Sequence, residues 1–577
     1  MNRRALALLL SAVMVLSACA AEPDTEGTTT TNSETDGTTG TTGTTGTTDT
    51  TAPPVDATGG TARIAWGGSP DSLNPGNGVL AEAYTLYELM YDTPIGLDLD
   101  GNYVPELATD WSVSDDGLTW TLNLVDNAVF HDGTPLTSED VKFSMELWRD
   151  TEDFPFLPSY PDVFTIEAPD ETTVVLTTEE PIGNFESRLV FMYIVPKHIW
   201  EGESDPVAFD NAEMIGTGSF TLAEHSQGEF VRLEANADYW AGRPNVDEVI
   251  FQTIENPDAR VTALRNGDVD MITELPNTAI PTLESDANVE VISGDPLAPS
   301  LTDVFFNIVP EELCPPEDGV CSGHPALKDL EVRKALAHAI DKQQLIDVAL
   351  LGLGTPGISL TPTGLGDFFN SSLEDYAFDL EMAAGILEDA GYVDSDGDGV
   401  RECLADQDCE DLTFRFNYPN DSDSAPRETE LISGWWSEIG VATTVQPLDP
   451  DTLTSVCCPT FDFDVIRWGW GSDPDPGFLL GAALCSEIDS GFSETGYCNE
   501  DYDALYDAQA VETDVEARRD MIWEMQEILL RDLPYIIPYY DQAVQAYRAD
   551  TFTGWQTGAS KLALEDPSSL NVISPAG

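Results

Sequence analysis

"GNYVPELATDWSVSDDGLTWTLNLVDNAVFHDGTPLTSEDVKFSM", residues 101–145, contains in "TWTLNL" (119–124) an alternation of period two. That period predicts a strand. Working outward, "TTVVLTT" (172–178) is β-branched and predicts a second strand. "EVRKALAHAIDKQQLIDVAL" (331–350) puts Val332, Ala335, Leu336, Ala339 and Ile340 on one helical stripe. "LEMAAGILEDAGY" (380–392) predicts a helix closed by Gly391. "EARRDMIWEMQEILLRDLP" (516–534) predicts another, with Met521, Ile522, Met525, Ile528 and Leu529 inward and Pro534 ending it. "YIIPYYDQAVQAY" then reads as extended. Strands and helices mix without a fixed repeat, so the class is α/β or α+β.

The chain has 577 residues, which exceeds one core and suggests roughly three to four domain-sized units. Its 105 acidic and 24 basic residues give a net charge of −81. Such a chain repels phosphate backbones, which argues against nucleic acid as a partner. A solvated acidic coat suited to salty medium explains the charge more simply than a dedicated cationic partner.

Arg3 and Arg4 precede "ALALLLSAVMVL", an apolar run too short to span a bilayer. It ends in Leu16-Ser17-Ala18-Cys19, the order of a bacterial lipoprotein signal, with an ordinary secretory peptide as the alternative. Residues 1–18 are then the signal, and Cys19 is lipidated. The Thr/Gly-rich segment within 19–60 is a disordered stalk. The expected location is the extracytoplasmic face of the cell membrane, periplasmic or cell-surface, with contact to the membrane through the lipid alone.

Setting Cys19 aside leaves an even number of cysteines in an oxidising compartment. Cys314/Cys321, Cys403/Cys409 and Cys485/Cys498 are close in sequence and are expected to form disulfides. Cys457 and Cys458 are adjacent, and their state stays open. The spacings match no zinc pattern.

Four blocks in order resemble the extracellular solute-binding proteins, family 5, of peptide, dipeptide and nickel ABC importers. They are residues 101–145; "MIGTGSFTLAEHSQGEFVRLEANADYWAGRPNVDEVIFQTI" (214–254); "VRKALAHAIDKQQLI"; and "RWGWGSDPDP". The resemblance implies an α/β, two-lobed periplasmic-binding-protein (flytrap) fold with mixed sheets. Lobe one would comprise 61–91, 215–300 and 541–577, with an inserted subdomain at 92–214, and lobe two 301–540. It also implies a monomer without a cofactor that captures a small solute, most simply a peptide, and passes it to ABC permease subunits.

By the same resemblance, "RWGWGSDPDP" lines the cleft and Asp473 meets a ligand amine. Trp468 and Trp470 offer stacking surfaces, with at least one of them in the cleft. Alternation along a strand is expected to leave the other in the core. Pro474 and Pro476 hold the loop open. The segment 355–377, where dipeptide-type members hold the ligand carboxylate, has no Arg or Lys. Arg415 or Arg467 would have to take that role, or the ligand is longer, neutral or cationic.

"DSDGDGVRE" (394–402) places Asp394, Asp396, Asp398 and Glu402 at EF-hand-like positions one, three, five and nine. Ala405 stands at position twelve, so any Ca²⁺ there is structural. No nucleophile elbow, zincin or phosphate-loop motif occurs, and His131 in "FHDG" reads as a turn residue. The chain is therefore read as a binder and not an enzyme; the alternative is a surface-anchored hydrolase acting on peptides or glycans.

The charge generates a test. At 1 M salt the Debye length is roughly 3 Å, which screens carboxylate repulsion. The melting temperature should climb from low to molar NaCl. A flat profile would assign the acidity another cause.

Overall fold

The computed structural model describes residues 59–576 apart from 79, 152–153, 155–162, 297–298, 317–318, 421, 423 and 557–561. The signal segment, Cys19 and the stalk up to residue 58 lie outside the described residues.

Two large mixed sheets organise the chain. The first has seven strands in the order Val289–Gly294, Ala543–Arg548, Met271–Ile272, Thr61–Trp66, Glu248–Thr253, Phe230–Ala235 and Phe220–Ser226. Thr61–Trp66 runs parallel to both neighbours, and the other pairs are antiparallel. The second sheet has six: Thr355–Pro356, Tyr535–Tyr540, Ser300–Phe306, Val465–Gly471, Thr413–Pro419 and Ala442–Leu448. Its core strands are apolar on both sides because both faces are covered. Val304, Phe306 and Phe416 pack on one face, and Leu301, Phe305 and Ile466 on the other.

A third, four-stranded antiparallel sheet (Ala108–Val113, Thr119–Leu124, Thr173–Thr178, Val163–Asp170) lies within the segment expected as an insertion. The alternation of "TWTLNL" buries Trp120, Leu122 and Leu124 and turns Thr119, Thr121 and Asn123 outward. Trp120, Leu122 and Leu176 belong to the same apolar cluster as Ile64 and Phe251 of the seven-stranded sheet. This sheet is therefore docked through a shared core.

The chain crosses between the large sheets from Gly294 to Ser300 and again from Tyr540 to Ala543. "YIIPYYDQAVQAY" is extended, as expected, but it divides between the two sheets. The crossings touch: Asp541 N donates to Ser300 O (3.1 Å), and Ser300 Oγ donates to Asp541 Oδ2 (2.7 Å).

Gly391 closes the Leu380–Ala390 helix in the left-handed region, with φ of 100°. The 331–350 stripe is buried as predicted, but the segment forms two helices, Leu330–His338 and Lys342–Ala349, and Ala339 and Ile340 lie between them. The break comes from Asp341, whose carboxylate accepts from Gln344 N (2.9 Å) and starts a new helix. In the Val515–Asp532 helix Met521 is half-buried, while Ile522, Met525, Ile528 and Leu529 face inward.

Four disulfides are formed: Cys314–Cys321, Cys403–Cys409, Cys485–Cys498 and the adjacent pair Cys457–Cys458. Peptide mapping without reduction should recover all four pairings. Opening any of the three loop-forming bonds should cost about 2–3 kcal/mol, read as a lower denaturant midpoint. Free thiols at these positions would contradict the assignment.

Candidate ligand cleft

The Val465–Gly471 strand sits inside the six-stranded sheet, paired with Ser300–Phe306 from Phe306↔Val465 to Ser300↔Gly471. Alternation sends Val465 and Arg467 to one face and Ile466, Trp468 and Trp470 to the other. The expectation that the tryptophans would divide between core and cleft is corrected. Residues two apart share a face, and both rings lie half-buried against the cluster containing Phe305, Leu479 and Tyr502.

Beyond Gly471 the loop is fastened at three points. Ser472 N donates to Pro299 O (2.7 Å). Asp475 accepts two bonds from Arg518, at 2.6 and 2.8 Å, with both side chains almost fully enclosed. Gly477 N also donates to Asp475 Oδ1 (2.8 Å), starting the Gly477–Gly481 helix. Arg518 further donates to the Gln509 side chain (3.0 Å) and lies over the Phe368 ring.

Asp473 stands between these anchors. Its surface is open, yet protein surrounds it on most sides, as in a cleft wall. Desolvation, and then the Asp475 charge, raise its pKa to about 6. Across from it is Tyr84 of the Ala81–Met90 helix, beside the seven-stranded sheet. Burial pushes the Tyr84 hydroxyl to about 12, with Asp71 and Asp473 both adding to the shift. Glu82 on the same helix is also raised, by burial and then by Glu274 and Asp71. Gly68 leaves no room for a Cβ beside the Glu82 carboxylate. The facing walls are thus acidic on both sides. Elsewhere along the same junction, Gly183 N of the inserted segment donates to Ala510 O (2.8 Å).

Neither arginine suggested for a ligand carboxylate faces this cleft with a free guanidinium. Arg467 points to the opposite face of its strand and donates to Glu428 (2.8 and 3.1 Å) and to Tyr539 Oη (2.8 Å). Arg415 donates to Asp464 (3.0 and 3.1 Å), Asp462 (2.9 Å) and Ser322. Both are held by protein carboxylates, and that corrects their place in the site.

Sequence reasoning missed two buried carboxyl pairs. Asp303 interrupts the apolar strand "SLTDVFF" on the tryptophan face, in register with Trp468. Its carboxyl is fully enclosed and pushed up to about 7 by desolvation. Burial, and then the Asp303 charge, raise the Glu494 carboxyl well above its usual range, although the indole N–H of Trp470 lies near it. The single charged residue in that apolar strand was the available signal. The second pair braces the inserted segment: Asp92 accepts from Tyr239 Oη (3.0 Å) and Trp240 Nε1 (2.8 Å), and Glu106 accepts from Thr93. Desolvation and then Asp92 raise Glu106 to about 8.

In the acidic loop, Asp394, Asp396 and Asp398 bring carboxylate oxygens within 4.8 Å of one another. Glu402 does not join them; both its oxygens accept from Ser395 N (2.9 Å each). His324 lies near Cys403 and Cys409, whose sulfurs are bonded to each other and offer no thiolate.

The profile of bacterial extracellular solute-binding proteins, family 5 (middle region), matches residues 102–489, and the chain belongs to that family. Membership makes it a solute-binding protein, not an enzyme. An ABC transporter peptide-binding protein of Brucella ovis is 31% identical over 296 residues, 50% of this chain and 52% of that protein. The chain thus spans about half the length of that relative. Protein XP55 of Streptomyces lividans is 28% identical over 88% of this chain and 87% of its own. Among solved structures, the ABC transporter substrate-binding protein CtaP of Listeria monocytogenes superposes with a TM-score of 0.75 at 27% identity. That match covers 90% of this chain and 100% of CtaP. The oligopeptide-binding protein AppA of Bacillus subtilis, solved with a nonapeptide, gives 0.68 at 22% identity over 90% of this chain and 100% of its own. The fold is the two-lobed periplasmic-binding-protein fold. No described helix is long and apolar enough to cross a membrane.

The raised carboxyls predict a pH profile. Asp303, Glu106 and Glu565 hold protons up to about 7, 8 and 7 in the folded state, whereas unfolded carboxyls release them near pH 4. Between those limits the folded chain binds more protons, so stability falls as pH rises. Each group contributes up to about 1.4 kcal/mol per pH unit in its window. Melting should be higher at pH 5 than at pH 8, and Glu565→Gln should flatten part of that slope. A rise in stability toward pH 8 would refute the protonated interior.

Proposed function

We propose that this protein captures a small extracytoplasmic solute, most simply a peptide, between its two lobes and delivers it to an ABC permease. The carrying observation is the Trp468–Asp473 segment of lobe two, with half-buried indoles and a carboxyl facing Tyr84 of lobe one. The names of the Brucella and Bacillus relatives support a peptide. Lobe one in this reading comprises 61–91, 215–300 and 541–577, with 92–214 inserted, and lobe two 301–540. The protein acts as a monomer tethered by lipid on Cys19. A ligand drives closure only by binding the closed state better, and contacts from both lobes supply that difference.

Native mass spectrometry of the purified protein should show a retained solute, returned unchanged on denaturation. Chemical turnover would favour the hydrolase instead. With that solute, Trp470→Ala should weaken binding by about 1–2 kcal/mol, roughly ten-fold. Asp473→Ala should cost more, about 3–5 kcal/mol, because a ligand amine is left unpaired. Wild-type affinity in both variants would move the pocket elsewhere. Cys19→Ser should release the chain from membranes.

For the acidic loop, the same reading takes Asp394, Asp396 and Asp398 as oxygen ligands of a structural Ca²⁺. Added Ca²⁺ should then raise the melting temperature of chelator-treated protein, and Asp396→Ala/Asp398→Ala should abolish the shift. An unchanged melting temperature removes the ion from the account.

A further inference from the structure

Trp470 is half-buried and stands nearly perpendicular to Phe492 (86°, centroids 5.9 Å) and Phe478 (74°, 6.0 Å). Phe478 keeps 36% of its surface exposed. An indole face is the best aromatic receptor for a cation. The indole N–H lies near Glu494, whose Oε2 accepts no hydrogen bond among the described residues. Glu494 is 5% exposed and Asp303 fully buried. Neither Asp303 oxygen accepts a well-formed bond, although the N–H groups of Asp303 and Trp468 lie nearby.

Two carboxyl groups in such a place cannot both ionise without a positive partner. Tyr535 faces the pair and supplies no positive charge; Tyr502 lies beside Tyr535. Arg467 is within electrostatic reach of Asp303, but its guanidinium is bound to Glu428 on the other face. The rest of the cleft has the same sign, with Asp473, Glu82 and Asp71 gathered around Tyr84 and Gly68. Arg518 is bound to Asp475, and Arg260 donates to backbone carbonyls and Glu274. A negatively charged ligand group meets acids here, whereas an ammonium or guanidinium meets an indole with carboxyls close by.

We infer that the solute is an organic cation, and that Trp470, with Glu494 and Asp303 nearby, receives one of its positive charges. This rests on the reading of the cleft as the solute site and narrows the solute to amine- or guanidine-bearing compounds. A second charge falls to Asp473. As the cation arrives, a proton held by the Asp303–Glu494 pair leaves to solvent. Binding therefore tightens as pH rises from 6 to 8.

The test is calorimetry on the full chain at low salt with trilysine amide, spermidine, N-acetyl-trialanine amide and triglutamate. Trilysine amide should bind at least ten-fold more tightly than the neutral peptide, with triglutamate weakest. Spermidine equal to trilysine amide assigns a free polyamine as sufficient; spermidine weaker assigns a basic peptide. Buffers of differing ionisation heat should show proton release. Glu494→Gln should remove the pH dependence and weaken trilysine amide about ten-fold. Trp470→Phe, which keeps an aromatic ring beside Phe478 and Phe492, should also weaken it.

A neutral peptide that binds as tightly as trilysine amide overturns the inference and leaves solute capture standing. Unchanged pH dependence in a folded Glu494→Gln overturns the role of the pair. If no probe binds, the cation inference falls, and solute capture is judged separately by the solute that co-purifies.

Discussion

The ion pair between Asp475 and Arg518 decides whether the cleft exists as a shaped site. The segment from Ser472 to Pro476 lies between a strand and a helix without regular structure of its own, and it needs a fixed point below the surface. Arg518 supplies that point from the longest helix of lobe two, with two parallel bonds to one carboxylate. A bidentate guanidinium fixes orientation as well as distance, which a lysine at the same place would not. Asp473, two residues away, is thereby held toward lobe one, and Trp470 is held at the end of its strand.

That pair also shows how scarce positive charge is in this protein. With 24 basic residues to 105 acidic ones, most carboxylates cannot have a cationic partner. The exposed ones are solvated. The enclosed ones divide between those given an arginine, such as Asp475 and Glu428, and those whose burial raises their pKa, such as Glu106 and Asp303. Protonation is the cheaper solution in a dry interior, because an unpaired buried charge is costly. The result is a folded state that responds to both pH and positive charge.

How much of this was legible depends on the range of the signal. "TWTLNL" and Gly391 were readable because period two and a left-handed helix end are local properties. The helix break at Asp341 was equally local and was overlooked within a continuous apolar stripe. Alternation places residues 468 and 470 on one face in any strand, so both tryptophans go together. Other features depend on chain segments far apart. Arg467 meets Glu428, 39 positions away, and Tyr539, 72 away, and no spacing rule links them. Asp303 and Glu494, 191 positions apart, meet only in the folded chain. The family blocks revealed two lobes and a cleft, but not which side chains inside it are already taken.

The hinge connects these electrostatics to movement. Two short crossings join the lobes, tied to each other by Ser300 and Asp541, so closure is confined to few backbone torsions. As the lobes approach, Asp473 on one side nears the field of Asp71 and Glu82 on the other, and like charges oppose the motion. The opposition can be relieved by a proton, which is available at mildly acidic pH, or by a positive solute. A solute that carries positive charge therefore contributes twice: it makes its own contacts, and it cancels a repulsion that otherwise favours the open state. A neutral solute supplies only the first. In the proposed reading, charge selection and lobe closure are one equilibrium, in which solutes are discriminated at the step where the cleft shuts.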